Sequence, residues 1–285
     1  MLALFSAPPD RTRWYFVAVF LSAHSWLLAQ ENPNYDPDYN GDGCFSVTDI
    51  LGLLPMFGSC IEADTTWACG DPTFFDNYWY ETVLIGDQCW FAENLRYLPS
   101  IGLPSAHEGV PNATVCGYLG DSIEAAVNLE HFGMYGALYN FSALQEWSLC
   151  PAGWHVPSDL DWMQMESFLG MPPDELVSTD DTRGYAVGAH LALKDSGGWS
   201  FPGNNSSGFS ALPAGFSASS NDLCSVNYLE WTIFGTSTVT TNGFMIRMLV
   251  GGLAIDVGIP RLDAEAISLG GTLDQYFSIR CIKDQ

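Results

Sequence analysis

Eight cysteines stand at positions 44, 60, 69, 89, 116, 150, 224 and 281, and no two of them are spaced as Cys-x-x-Cys. A zinc ribbon or a dithiol redox motif needs such close pairs, so cross-linking is the sulfur chemistry left to the chain. Whether cross-links form depends on the compartment. Arg11 and Arg13 precede an apolar run from Trp14 to Leu28, closed by Ala29 and Gln30. This order of charge, apolar core and small residue reads as a secretory signal cut after Ala29. The rival reading is a membrane anchor, but Ser22, His24 and Ser25 interrupt the run, which falls short of the roughly 20 residues a spanning helix needs. Residues 1–29 are assigned to a signal peptide. The mature chain is expected to be secreted or held at the cell surface without a transmembrane segment. An even set of cysteines in an exported chain predicts disulfides, yet eight cysteines permit about a hundred pairings and spacing selects none of them.

A chain of 285 residues accommodates one large domain and a small appendage. Its 47% hydrophobic and 15% charged residues exclude long disordered tails, which need the opposite balance. Nine Lys and Arg face 33 Asp and Glu, a net charge of −24. Such a field repels phosphate backbones and anionic lipid, which excludes nucleic acid as a partner. The acid surplus has two readings, a solubility surface and a set of divalent-cation sites.

The second reading has a concrete candidate in DYNGDGCFSVTD, residues 38–49. Asp38, Asn40 and Asp42 occupy positions 1, 3 and 5 of a twelve-residue loop, Gly43 allows the sharp turn at position 6, and Asp49 closes at position 12. Ca²⁺ takes six to eight oxygens, and alternate side chains of a tight turn converge on one point. Cys44 would offer its backbone carbonyl at position 7, and Ser46 its hydroxyl or a bridging water at position 9. Residues 47–57 then read as an exiting helix with Ile50, Leu53, Leu54 and Phe57 at helical spacing, shortened or bent by Pro55. Loop and helix together resemble one calcium repeat of the dockerin family, which carries two such repeats where this chain shows one. Residues 30–62 form this module, and residues 63–80 read as a linker.

From residue 81 to 285 the texture is that of one domain. TVLIGDQCWF (82–91) predicts a hairpin turning at Gly86-Asp87. Pro157 and Ser158 open a helix, with Ser158 and Asp161 at capping-box spacing and Trp162, Met165 and Leu169 forming one apolar stripe. A second helix is expected over 186–194, ended by Gly197-Gly198. GFMIRMLV (243–250) and YFSIRCI (276–282) read as half-buried strands, and the order of elements is α+β with a loop-rich second half.

TVLIGDQCWFAENLRYLP (82–99), YGALYNFSAL (135–144), LCPAGWHVPSDLDWMQMESFLG (149–170), SSGFSALPAGF (206–216) and FSIRCIKD (277–284) follow one another over about 200 residues. Together they resemble the Fibrobacter succinogenes major paralogous domain, a family similar to C-type lectin-like and formylglycine-generating-enzyme-like domains. The resemblance implies an exported bacterial protein with two helices, twisted antiparallel strands and long loops. In a lectin-like fold Cys150 and Cys281 meet, which implies a bridge between them. Cys44–Cys60 around the calcium module and Cys69–Cys89 beside the hairpin are expected from their positions, which leaves Cys116 with Cys224 by elimination. At 230–238 the chain has EWTIFGTST where the family has a Trp-Trp-Ser-Ser-like segment. Arg247 and Arg261 match arginines of the family's later strands and are expected in ion pairs, with a carboxylate-bearing ligand as the alternative.

Catalytic patterns are absent from the sequence: there is no Gly-x-Ser-x-Gly elbow, phosphate-cradling glycine loop or His-Glu-x-x-His helix. His155 is the one histidine on a family motif and is expected to be packed and hydrogen-bonded. The Asp159/Asp161 and Asp180/Asp181 pairs are ordinary in so acidic a chain. Formylglycine-generating chemistry needs paired free cysteines, whereas these read as structural. The expectation is a non-catalytic binding module for a glycan or cell-surface protein, with the loop around Trp199, Asn204 and Asn205 as a contact surface or else a buried turn. The alternative is an envelope or matrix component without a small ligand.

Overall fold

The computed structural model describes residues 67–107, 109–179, 182–218, 231–241, 243–250, 259–263 and 275–285. The chain divides into two compact units, Met1–Thr66 and Trp67–Gln285, and every described residue belongs to the second. The signal segment, the calcium loop with Asp38, Asn40, Asp42, Cys44, Ser46 and Asp49, and Cys60 and Cys224 lie outside the described residues.

The domain begins earlier than its sequence texture suggests. Residues 67–80, read above as linker, carry a hairpin of β1 (Thr73–Phe75) and β2 (Tyr78–Tyr80). Asp76 and Asn77 turn it with φ of 46° and 61°, the left-handed pair that a two-residue hairpin loop requires. The predicted hairpin follows as β3 (Thr82–Ile85) and β4 (Gln88–Phe91), with Gly86 at φ 62° in its turn.

Three larger sheets make up the body. β3 and β4 continue into β13 (Ile282–Lys283) and β7 (Trp154–His155) in the order β3-β4-β13-β7. A second sheet has the order β5-β6-β12-β8, formed by Ala113–Thr114, Leu138–Asn140, Gln275–Phe277 and Ser217–Ala218 respectively. The third is a meander of β9 (Trp231–Thr240), β10 (Gly243–Val250) and β11 (Arg261–Asp263). All strand pairings in these three sheets are antiparallel.

The C-terminal segment joins the sheets. β12 lies between β6 and β8, β13 lies between β4 and β7, and Ser278 bridges to Phe234 of β9. Residues 275–282 are therefore buried throughout, not half-buried as alternation suggested. Polar members of this run are bonded inward: Asn94 Nδ2 donates to Ser278 Oγ at 3.2 Å, and Arg280 Nε donates to Asn94 Oδ1 at 2.9 Å. Residues 244–247 of β10 are likewise all buried. The divergent EWTIFGTST stretch supplies β9, whose residues 232–236 are core. Cys281 bonds to Cys150 across a sequence separation of 131, as the resemblance implied, and Cys69 bonds to Cys89, as expected from its place beside the hairpin. Cys116 is also disulfide-bonded.

The expectation of two helices is corrected. Six short helices occur among the described residues: α1 (Ile123–Val127), α2 (Glu130–Tyr135), α3 (Phe141–Glu146), α4 (Asp159–Phe168), α5 (Pro173–Leu176) and α6 (Ala189–Leu193). α4 is the predicted helix, with its reciprocal Ser158–Asp161 capping box in place, and α6 is the core of the predicted 186–194 segment. α1 and α3 start at side-chain caps, where Ser122 accepts from Ala125 N–H and Asn140 from Ala143 N–H. Helices of one or two turns leave too short a periodic trace to be read, so a cap is their only sequence sign.

Trp162 and Met165 of α4 are fully buried, and Leu169 packs beside them half-buried. Trp162 stands among Trp90, Phe209 and Phe234 with ring centroids 5.4–5.5 Å apart. A second aromatic core stacks Tyr80 on Phe91 at 4.5 Å and places Phe91 against Trp154 at 4.7 Å.

Candidate functional site

Two features stand out in the domain: a buried chain of charges and an exposed aromatic face. Glu166 follows Met165 on α4 and is 0% exposed. Its Oε2 accepts from Arg183 Nη2 at 2.6 Å, and its Oε1 accepts from Arg247 Nε at 2.6 Å. Arg247 Nη1 reaches Asp159 Oδ1 at 2.7 Å, and Asp159 Oδ2 meets Arg261 Nη2 at 2.7 Å. The series Arg183, Glu166, Arg247, Asp159, Arg261 alternates in sign and ties α4 to β10, to β11 and to Arg183. Arg183 spends its other donors on the carbonyls of Glu175, Leu176 and Ile259.

Burial alone would raise the Asp159 carboxyl, but hydrogen bonds and charge from Arg261 and Arg247 outweigh it and hold the group below its ordinary value. Burial lowers the Arg183 guanidinium, and Glu166 opposes this. Asp159, held ionised by Arg261 and Arg247, accepts hydrogen bonds and has no proton to donate, and Glu166 is spanned by two arginines, so the arrangement braces the fold. Arg247 and Arg261 are thus in ion pairs, as expected. Glu166 and Arg183 escaped the sequence reading, since a charged residue next to an apolar stripe looks solvent-facing.

Arg280 and Lys194 are buried with no carboxylate partner among the described residues. Arg280 donates to Asn94, to the Phe209 carbonyl and to the Ser210 carbonyl, and its guanidinium carbon sits 4.2 Å from the Phe209 ring centroid. Burial pushes its pKa down to about 9. Lys194 Nζ donates to the carbonyls of Phe201 and Val250, 5.2 Å from the Trp199 ring centroid, and burial lowers its pKa. With Arg183 and Arg247 also buried, four of the seven Lys and Arg among the described residues lie in the core, against two buried carboxylates, Asp159 and Glu166.

The exposed face belongs to the β1–β2 hairpin. Phe74 and Trp79 are cross-strand partners, 53% and 61% exposed, with ring centroids 5.1 Å apart at 53°. The opposite face is anchored: Phe75 packs on Tyr97 at 5.2 Å, and Tyr78 donates its hydroxyl to Glu93 at 2.7 Å beneath the Arg96 guanidinium. At the hairpin's base the Cys69–Cys89 bridge is joined by Thr82 Oγ1, which accepts from Gly70 N–H and donates to the Asp71 carbonyl, each at 2.8 Å. A short ribbon braced on one face therefore presents two large aromatics to solvent on the other.

The remaining candidates resolve individually. His155 is hydrogen-bonded but not packed: it is exposed, with Nδ1 2.6 Å from Asp284 Oδ1 and Nε2 3.4 Å from Asp161 Oδ2. Asp161 itself serves the helix cap, while Asp180 and Asp181 lie outside the described residues. The Trp199 loop follows the buried-turn alternative: Trp199 is 6% exposed and donates to the Ala211 carbonyl at 2.7 Å, and Asn205 is bonded to Ser210. Only Asn204 of the three is exposed. No group of three His, Cys, Asp or Glu among the described residues is placed to hold a metal ion, and none of their helices is long and apolar enough to cross a membrane.

Small antiparallel sheets joined by a buried C-terminal segment, short capped helices and internal disulfides define an α+β domain braced by cross-links. Residues 83–283 match the Fibrobacter succinogenes major domain, and the chain belongs to that family. No curated protein and no solved structure matches it.

Proposed function

We propose that the protein is an exported, non-catalytic binding module whose lectin-like body presents loops and a hairpin to a glycan or a cell-surface protein. A dockerin-like loop of Asp38, Asn40, Asp42, the Cys44 carbonyl, Ser46 and Asp49 binds Ca²⁺ ahead of that body. The observation that carries the reading is the Phe74–Trp79 pair, more than half exposed on a ribbon fixed by Cys69–Cys89. Large aromatics kept in water on a rigid support are a contact surface, because leaving them exposed forgoes their burial. Disulfides persist in oxidising compartments, which supports export. A contact role also fits the acids of α4, since Asp159 and Glu166 are engaged by arginines. A formylglycine-generating centre would need free cysteines, whereas Cys69, Cys89, Cys116, Cys150 and Cys281 are all bridged.

A glycan array and a pull-down of surface proteins, both run with the oxidised chain lacking residues 1–29 in calcium, test the proposal. Reproducible ligands that weaken with Trp79→Ala support it. Substrate turnover, or ligands indifferent to every exposed aromatic, contradict it.

A further inference from the structure

The hairpin face is more selective than an apolar patch. In a ribbon, alternate residues share a face, so the exposed Pro72, Phe74, Trp79 and Glu81 lie along one side with Asp76 and Asn77 at its tip. Asp76 and Glu81 are exposed, and neither carboxylate has a hydrogen-bond or ion-pair partner among the described residues. The neighbouring acids are engaged, with Asp71 capping Ala68 N–H and Glu93 held by Tyr78 and Arg96. No Lys or Arg occurs between Trp67 and Leu95, and Arg96, which follows, is held by Glu93 and lies over Tyr78 on the opposite face. Two aromatic faces tilted by 53° thus lie between two uncompensated carboxylates, one at the turn and one about 7 Å beyond Trp79 along the strand.

Aromatic faces attract cations through their quadrupole, and flanking carboxylates add to that attraction. An anionic partner would meet both these carboxylates and the net charge of −24. We propose that this face docks a basic peptide segment of a partner protein, with a Lys or Arg side chain over the Phe74–Trp79 pair and further basic residues beside Asp76 and Glu81. The inference rests on the protein being a binding module and names the chemistry of its partner. An extended strand with basic residues at alternate positions matches the hairpin's own period, which is why a segment fits and a lone ammonium group binds weakly.

The test is calorimetric titration of the oxidised chain lacking residues 1–29 with a synthetic alternating Lys-Thr peptide of about eight residues. Its lysine-acetylated twin keeps the length and loses the charge. The expected results are binding of the first peptide, none of the second, and about fivefold weakening by Trp79→Ala or by Asp76→Asn combined with Glu81→Gln. Trp79→Ala leaves the net charge unchanged, so it separates this site from attraction by the acidic surface at large. Phe74→Ala is the second aromatic variant, and intact disulfides by mass spectrometry verify folding. Equal binding of the lysine peptide by wild type and Trp79→Ala, or equal binding of the acetylated peptide, overturns the proposal. A neutral oligosaccharide that binds in a Trp79-dependent manner while the lysine peptide does not also overturns it, and leaves the broader binding-module reading standing.

Discussion

Replacing Glu166 by Gln keeps the size of the side chain and removes the one carboxylate shared by Arg183 and Arg247, all three of them 0% exposed. Arg247 retains Asp159 and Arg183 retains its carbonyls, so neither guanidinium is wholly stranded. Breaking a buried pair from one side costs about 3–5 kcal/mol, because the remaining charge stays desolvated. For a domain of this size each kcal/mol moves the midpoint by about 2–4 °C, which gives a fall of roughly 6–20 °C. Scanning calorimetry of the oxidised protein measures it. A companion variant, Glu166→Leu with Arg183→Met and Arg247→Met, removes the charges together and is expected to recover most of the loss, since apolar replacements of similar volume are often neutral. A fall below about 2 °C for Glu166→Gln, or a triple variant no better than the single, would refute the idea that paired charge holds this region.

Other outcomes follow from the same structure. Loss of the Cys150–Cys281 bridge opens a loop closed over 131 residues and is expected to destabilise by about 5 kcal/mol, read as a lower urea midpoint for Cys150→Ala/Cys281→Ala. Asp159 has a folded pKa below its unfolded value, so its contribution is complete above the ordinary carboxylate range and is lost as pH falls through the folded value. Asp159→Asn should therefore cost stability at neutral pH and flatten the acid limb of a stability–pH curve; an unchanged limb would contradict the assignment. In the N-terminal loop, calcium titration of the chain lacking residues 1–29 should show binding that Asp42→Ala abolishes, and a flat wild-type titration at millimolar calcium would remove the loop from the account.

Legibility in the sequence followed the kind of force at work. The β3–β4 hairpin was readable because a β-branched run, Gly86-Asp87 and an aromatic run are local signals. The start of α4 was readable because its capping box closes within four residues. What escaped was set by distant partners. Residues 275–282 alternate in polarity yet are buried on both sides, because Ser278 and Arg280 find their bonds at Asn94, nearly 190 residues earlier in the chain. Glu166 carries no local sign of its burial, because its partner Arg247 comes from a strand 81 positions away. The Phe74–Trp79 face was concealed by composition: TFFDNYWY is so aromatic that inward and outward positions cannot be told apart without the register.

One array carrying glycans alongside basic, neutral and acidic peptides, probed in calcium with the oxidised wild type and with a Phe74→Ala/Trp79→Ala variant, tests the binding account most directly. The account predicts a reproducible set of signals in the wild type that the double variant loses while keeping its disulfides. Identical patterns from the two proteins, or no signal from either, would contradict it.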